Sequence, residues 1–172
     1  MKKKCCKKET LKNNKVIAIG SDHAGFRLKE EIKSYLDEVN IKYEDIGCFN
    51  DKSVDYPDIA FEAACGVSDG RFCCGILCCG TGIGMAMSAN KIPGVRAAPC
   101  SEPVSAKLSR QHNNANVLAL GGRIVGPVLA IEIVKAWLDT PFEGGRHVPR
   151  LEKISKAENG LSERRKRVCK TR

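Results

Sequence analysis

Nowhere does the chain hold an apolar run long enough to span a bilayer, and no apolar stretch follows the charged opening Met1-Lys2-Lys3-Lys4-Cys5-Cys6. These absences argue against a membrane segment and against secretion, so a cytoplasmic location is expected. The central body also lacks excess charge. Of the formal +9 over 172 residues, residues 1–15 hold +6 and residues 151–172 hold +5, leaving −2 for residues 16–150. A nucleic-acid-binding core carries a basic face of its own, so this near-neutral body argues against that class, and the basic ends read as solvated segments. Ten cysteines are present, but no pair of CxxC elements, which removes the spacing of a structural zinc site. Several thiols lie inside apolar stretches such as Phe72-Cys73-Cys74-Gly75-Ile76-Leu77-Cys78-Cys79. There, in a reducing compartment, cysteine acts as a small hydrophobic residue. There is no internal repeat, and no low-complexity segment apart from the basic ends.

What is present is a hydrophobic content of 42%, enough for one domain with its own core. Strand and helix patterns alternate along it. Short apolar runs predict strands at 16–20, 41–46, 72–79, 95–100 and 116–120; the run at 72–79 is apolar on both faces, as a central strand requires. Helical patterns predict helices over about 25–39, 57–67, 85–90, 102–112 and 128–138, the second opening on Pro57. From Arg150 the tail reads as an amphipathic helix at first, with Leu151, Ile154 and Leu161. This alternation implies an α/β class: a five-stranded parallel sheet with helices on both sides. The expected division is a basic extension over 1–15, a domain over 16–150, and a helix with a basic tail over 151–172.

Ligands of such sheets gather at the carboxyl ends of the strands. That places Ser21-Asp22-His23, Gly80–Gly84, Cys100-Ser101 and Gly121-Gly122-Arg123 together. Gly80, Gly82 and Gly84 form a GxGxG turn, which is neither the dinucleotide fingerprint nor a P-loop. It can cradle an anion with backbone N–H groups, or it can be a tight strand–helix turn. Cys79 immediately precedes it, where helix N–H groups favour a reactive thiolate; Cys78 should face the opposite side and be core. A cysteine phosphatase loop needs an arginine six residues on, and position 85 is Met85. Asp22 and His23 can bind hydroxyls and phosphate or move protons, and Asp22 can equally cap the following helix. His112 at a helix end suits the helix dipole. Arg146 and Arg150, four apart after Gly144-Gly145, suit a phosphate dianion or a surface ion-pair cluster.

Taken together, Ser21-Asp22-His23-Ala24-Gly25-Phe26, Asp55-Tyr56-Pro57, Cys79-Gly80-Thr81-Gly82-Ile83-Gly84, Ala89-Asn90-Lys91, Ser109-Arg110-Gln111-His112-Asn113 and Gly144-Gly145-Arg146-His147 resemble one family. In order and spacing they are similar to type B ribose-5-phosphate isomerases, within the wider group that includes galactose-6-phosphate isomerase subunits. The resemblance runs from about Ile17 to Arg150. It implies a Rossmann-like three-layer α/β/α sandwich that forms homodimers or tetramers with shared sites. It implies interconversion of ribose 5-phosphate and ribulose 5-phosphate, a pentose phosphate pathway step, without metal or organic cofactor. It further implies that Cys79 moves a proton between C1 and C2, with Thr81 assisting. Gly80, Gly82 and Gly84 would hold the enediolate oxygen through their backbone, with Asn113 as a side-chain donor. His112 would open the furanose ring, Asp22 and Tyr56 would bind hydroxyls, and His23, Arg123, Arg146 and Arg150 would hold phosphate. One branch of the family places a glutamate base where this chain has Met85, which leaves Cys79 as the candidate base.

Three other readings compete. The substrate could be a six-carbon sugar phosphate such as galactose or allose 6-phosphate; the chain could bind phosphosugars without catalysis; or it could be a Cys–His hydrolase, for which no local signature is found.

Overall fold

The computed structural model describes the backbone of residues 15–170 and the side chains of residues 15–160. The lysine-rich start before Lys15, and the side chains of Arg164-Arg165-Lys166-Arg167, lie outside the described residues. The elements run β1 (Ile17–Ser21), α1 (Phe26–Glu38), β2 (Tyr43–Gly47), α2 (Tyr56–Asp69), β3 (Cys74–Cys79) and α3 (Ile83–Ala89). They continue with β4 (Ala97–Pro99), α4 (Pro103–Asn113), β5 (Val117–Gly121), α5 (Pro127–Asp139), a 3-10 turn at Gly145–His147 and α6 (Val148–Lys170). The five strands form one parallel sheet in the order β2-β1-β3-β5-β4. The α/β expectation and the count of five strands therefore hold.

Side-chain alternation along each strand divides the core into two layers. Ile17, Ile19, Cys74, Ile76, Cys78, Leu118 and Leu120 pack on one face with α1, α4 and α5. Ala18, Leu77, Cys79 and Val117 pack on the other with α2 and α3. Each fully buried Ile or Leu contributes roughly 1.5–3 kcal/mol relative to exposure. In α5, Ala130, Ile133, Val134, Trp137 and Leu138 are buried at helical spacing, which fixes the face it turns to the sheet. The chain reverses its direction of travel across the sheet whenever it changes face, so all four crossovers keep one hand.

Strand order reverses between β1 and β3, and register aligns their ends. Ser21 pairs with Cys78, and Cys79 with Gly121. The carboxyl ends of β1, β3 and β5 therefore lie side by side, which is where a crevice forms in an open α/β sheet.

Candidate active site

Cys79 ends β3 with only 4% of its surface exposed. Its Sγ accepts the Gly82 N–H at 3.1 Å, so the sulfur faces the glycine turn from the edge of the apolar layer that holds Met85. Gly82 takes φ +79°, and a Cβ there would come within 3.0 Å of the Leu120 carbonyl carbon, so the turn requires glycine. The Thr81 Oγ1 accepts the Ile83 N–H at 3.3 Å. Cys78, one residue earlier, is fully buried on the opposite face, where burial pushes its thiol far above the ordinary range. The alternation expected of the two cysteines holds.

Three loops meet at this end of β3. The Asp22 N–H donates to the Cys78 carbonyl at 3.1 Å, and Asp22 Oδ1 accepts the Gly25 N–H at 2.9 Å. Gly25 then lies so close to the Cys78–Cys79 peptide that a Cβ would stand 2.4 Å from the Cys78 carbonyl carbon and oxygen. From β5, the Gly122 N–H donates to the Cys79 carbonyl at 2.8 Å and the Arg123 N–H to the Gly80 carbonyl at 3.0 Å. The Arg123 side chain runs alongside Gly80. His23 Nδ1 accepts the Val54 N–H at 3.4 Å, a contact that leaves the ring proton on Nε2 when the imidazole is neutral. Tyr56, at the first residue of α2 and 40% exposed, lays its ring against Gly84. Asp22, His23, Tyr56, Cys79, Gly80, Thr81, Gly82, Gly84 and Arg123 are thus brought together in one chain.

His112, Asn113, Arg146 and Arg150 are not part of that cluster. Helix α4 starts beyond the carboxyl end of β4 and returns to the start of β5, so its last turn sits at the amino-terminal edge of the sheet. There the His112 and His147 rings stack, with centroids 4.5 Å apart and planes 12° from parallel. His147 Nε2 lies 3.6 Å from Glu143 Oε2. Burial holds the His147 imidazole below its ordinary pKa, His112, Arg146 and Arg150 add to this, and Glu143 opposes it. The donor atoms of His112, Glu143 and His147 lie within 4.8 Å of one another. Imidazole lone pairs lie in the ring plane, so two near-parallel stacked rings do not converge on one metal ion.

A family model described as ribose/galactose isomerase matches residues 17–154, most of the chain. This chain belongs to that family. Ribose-5-phosphate isomerase B of Escherichia coli is 51% identical over 144 residues, covering 84% of this chain and 97% of that protein. D-erythrulose-4-phosphate isomerase of Pectobacterium atrosepticum is 46% identical over 144 residues, covering 83% and 95%. The solved structure of Clostridium thermocellum ribose-5-phosphate isomerase B superposes with a TM-score of 0.84 at 46% identity, covering 85% of this chain and 99% of that one.

Two features of this ribose/galactose isomerase chain were not assigned from sequence. Lys29 has no exposed side-chain surface, and its Nζ donates to Asp45 Oδ1 at 2.7 Å, Asp45 Oδ2 at 2.9 Å and the Cys48 carbonyl at 2.6 Å. Cys48 in turn donates its N–H to the Ser21 carbonyl at 2.6 Å, beside Asp22. The buried lysine therefore braces the loop that leads to Tyr56. The second feature is the His112–His147 stack, whose members are 35 positions apart in the chain.

Proposed function

We propose that this chain is an aldose–ketose isomerase that interconverts ribose 5-phosphate and ribulose 5-phosphate through an enediolate, with Cys79 as the base. The observation that carries this reading is the Cys79 sulfur held by the Gly82 N–H in a glycine turn against which the Tyr56 ring and the Arg123 side chain lie. In the open aldehyde, the thiolate takes the C2 proton. The C2–H electron pair forms the C1=C2 bond and the carbonyl pair moves onto O1. Backbone N–H groups of Gly80 and Gly84 stabilise that oxygen, and the Gly82 N–H turns from the sulfur to it once the sulfur carries the proton. The proton then returns from sulfur to C1 while the O2 hydroxyl proton passes to O1, giving the ketose. Thr81 assists the thiolate, and Asp22 and Tyr56 hold sugar hydroxyls. Phosphate binding by His23, Arg123, Arg146 and Arg150, far from the reacting carbons, provides orientation.

His112, Asn113, Arg146 and Arg150 sit at the other edge of the sheet from Cys79, so we assign their roles to a site shared with a second copy of the chain. His112 opens the furanose ring, Asn113 donates to the enediolate oxygen, and the two arginines grip phosphate. Among the described residues no helix is long and apolar enough to cross a membrane, and a cytoplasmic location fits a phosphorylated intermediate as substrate.

The test is turnover by purified protein on four-, five- and six-carbon aldose phosphates side by side, with and without a chelator. The reading expects the highest kcat/KM on ribose 5-phosphate, unchanged by EDTA. A higher value on the four- or six-carbon sugar would reassign the substrate, and loss of turnover in EDTA would contradict a metal-free proton transfer.

A further inference from the structure

We infer that His147 is a positioning residue for the ring-opening step: its buried ring holds the His112 imidazole by stacking, in the orientation from which His112 reaches a sugar. This rests on the proposed isomerase reading, in which His112 opens the ring. The geometry carries it. The two rings are 4.5 Å apart and 12° from parallel. His147 is only 5% exposed, and its Nε2 has no hydrogen-bond partner. A buried nitrogen left without a partner is unfavourable, so the imidazole is not there for its own hydrogen bond. A flat ring that covers one face of His112 is what the site gains.

The surroundings keep that covering ring neutral. His147 faces His112 from α4, Glu143 and Arg146 from its own loop, and Arg150 from α6, and burial together with His112, Arg146 and Arg150 outweighs Glu143 and holds the His147 imidazole below its ordinary pKa. A neutral ring lets His112 become an imidazolium without a charged ring stacked on it. The loop is also tied to α4 directly. The Glu143 N–H donates to the Gln111 carbonyl at 3.1 Å, and the His147 N–H to the Gly144 carbonyl at 3.0 Å. In ring opening, His112 takes the proton of the anomeric hydroxyl. The C1–O4 bond breaks with its electron pair going to O4, C1=O1 forms, and the imidazolium returns the proton to O4. Each transfer needs the His112 nitrogen aimed at the sugar oxygens, and stacking restricts that ring to one plane.

The two substrates separate this step from the proton transfer at carbon. Ribose 5-phosphate is a furanose that must be opened. Ribulose 5-phosphate is acyclic, because the hydroxyl that would close a five-membered ring on C2 carries the phosphate. The experiment compares wild type, His147→Leu and His147→Phe, full-length and folded by circular dichroism. It measures turnover of ribose 5-phosphate and, by NMR in D2O, exchange of the C1 hydrogen of ribulose 5-phosphate. Leucine fills the space without a stacking ring, and phenylalanine restores the ring without nitrogens. The expected result is a loss of tenfold or more in kcat on ribose 5-phosphate for His147→Leu, with C1 exchange within about twofold of wild type. His147→Phe should recover to within about threefold on both. Equal losses on both substrates, no loss in His147→Leu, or no recovery in His147→Phe would overturn the inference while leaving the isomerase reading intact. A wild type that neither turns over nor exchanges would remove both.

Discussion

Replacing Lys29 by methionine removes a fully buried ammonium and its three hydrogen bonds, to Asp45 Oδ1, Asp45 Oδ2 and the Cys48 carbonyl, while keeping most of the side-chain volume. Asp45 is not left alone: Lys33 Nζ stands 2.8 Å from Oδ2 and the Gly47 N–H 2.9 Å from Oδ1. Breaking a buried pair costs about 3–5 kcal/mol when the survivor has no other partner, so Lys29→Met should cost less, about 2–3 kcal/mol. Asp45→Asn is the harsher change, because it leaves the charge of Lys29 buried against neutral oxygens, with Glu30 no nearer than 3.5 Å; it should cost about 3–5 kcal/mol. At about 2–4 °C per kcal/mol for a chain of this length, Tm should fall by about 4–12 °C and 6–20 °C respectively. The double variant should cost no more than Asp45→Asn alone, since it removes the orphaned charge with its partner. Acid pH sharpens the test. Burial alone would raise the Asp45 carboxyl, but hydrogen bonds from Lys29, Lys33 and the Gly47 N–H outweigh it and hold the group below its ordinary value. Its stabilisation is therefore complete above the unfolded value of about 3.9 and is lost as pH falls through the lower folded value. Urea unfolding from pH 7 down to pH 3 should show the gap between wild type and Asp45→Asn closing below about pH 4. Strict additivity in the cycle, or single variants within about 0.5 kcal/mol of wild type, would refute the reasoning.

Two further outcomes follow from close contacts and from the division of the site. Gly25→Ala forces a Cβ against the Cys78–Cys79 peptide, with no flexible side chain to yield; urea midpoints should report a loss of at least about 1–3 kcal/mol, and kcat should fall with it. Arg146→Ala should mainly raise KM, and at substrate well below that KM its mixture with Cys79→Ala, refolded together after denaturation, should exceed the activity of either alone, because a mixed pair holds one intact shared site. Failure to regain any would contradict the two-copy arrangement.

Much of the fold was legible because each element carries its own pattern. The apolar run ending at Cys79 could only be a strand buried on both faces, and alternation then separated Cys78 from Cys79 correctly. Strand β4 is shorter than the expected 95–100, because the Val95 N–H is taken by the Ile92 carbonyl and the Arg96 N–H by the Asn116 side chain. The helix predicted from Arg150 begins earlier, at Val148, directly after the 3-10 turn. Lys29 reads as a solvated charge on α1 until Asp45 of β2 is placed beside it, a contact between elements that no local spacing reports. His147 stands inside a recognised motif, yet its stacking partner lies on another helix. Motifs located the carboxyl-edge cluster, whereas pairings across elements required the tertiary structure.

The sharpest measurement is the rate at which folded Cys79→Ala exchanges the C2 hydrogen of ribose 5-phosphate with solvent, set beside its binding of the same sugar. Binding should survive while exchange falls by at least a thousandfold, on the order of what a positioned base contributes. Exchange at the wild-type rate from a protein without that sulfur would contradict Cys79 as the base.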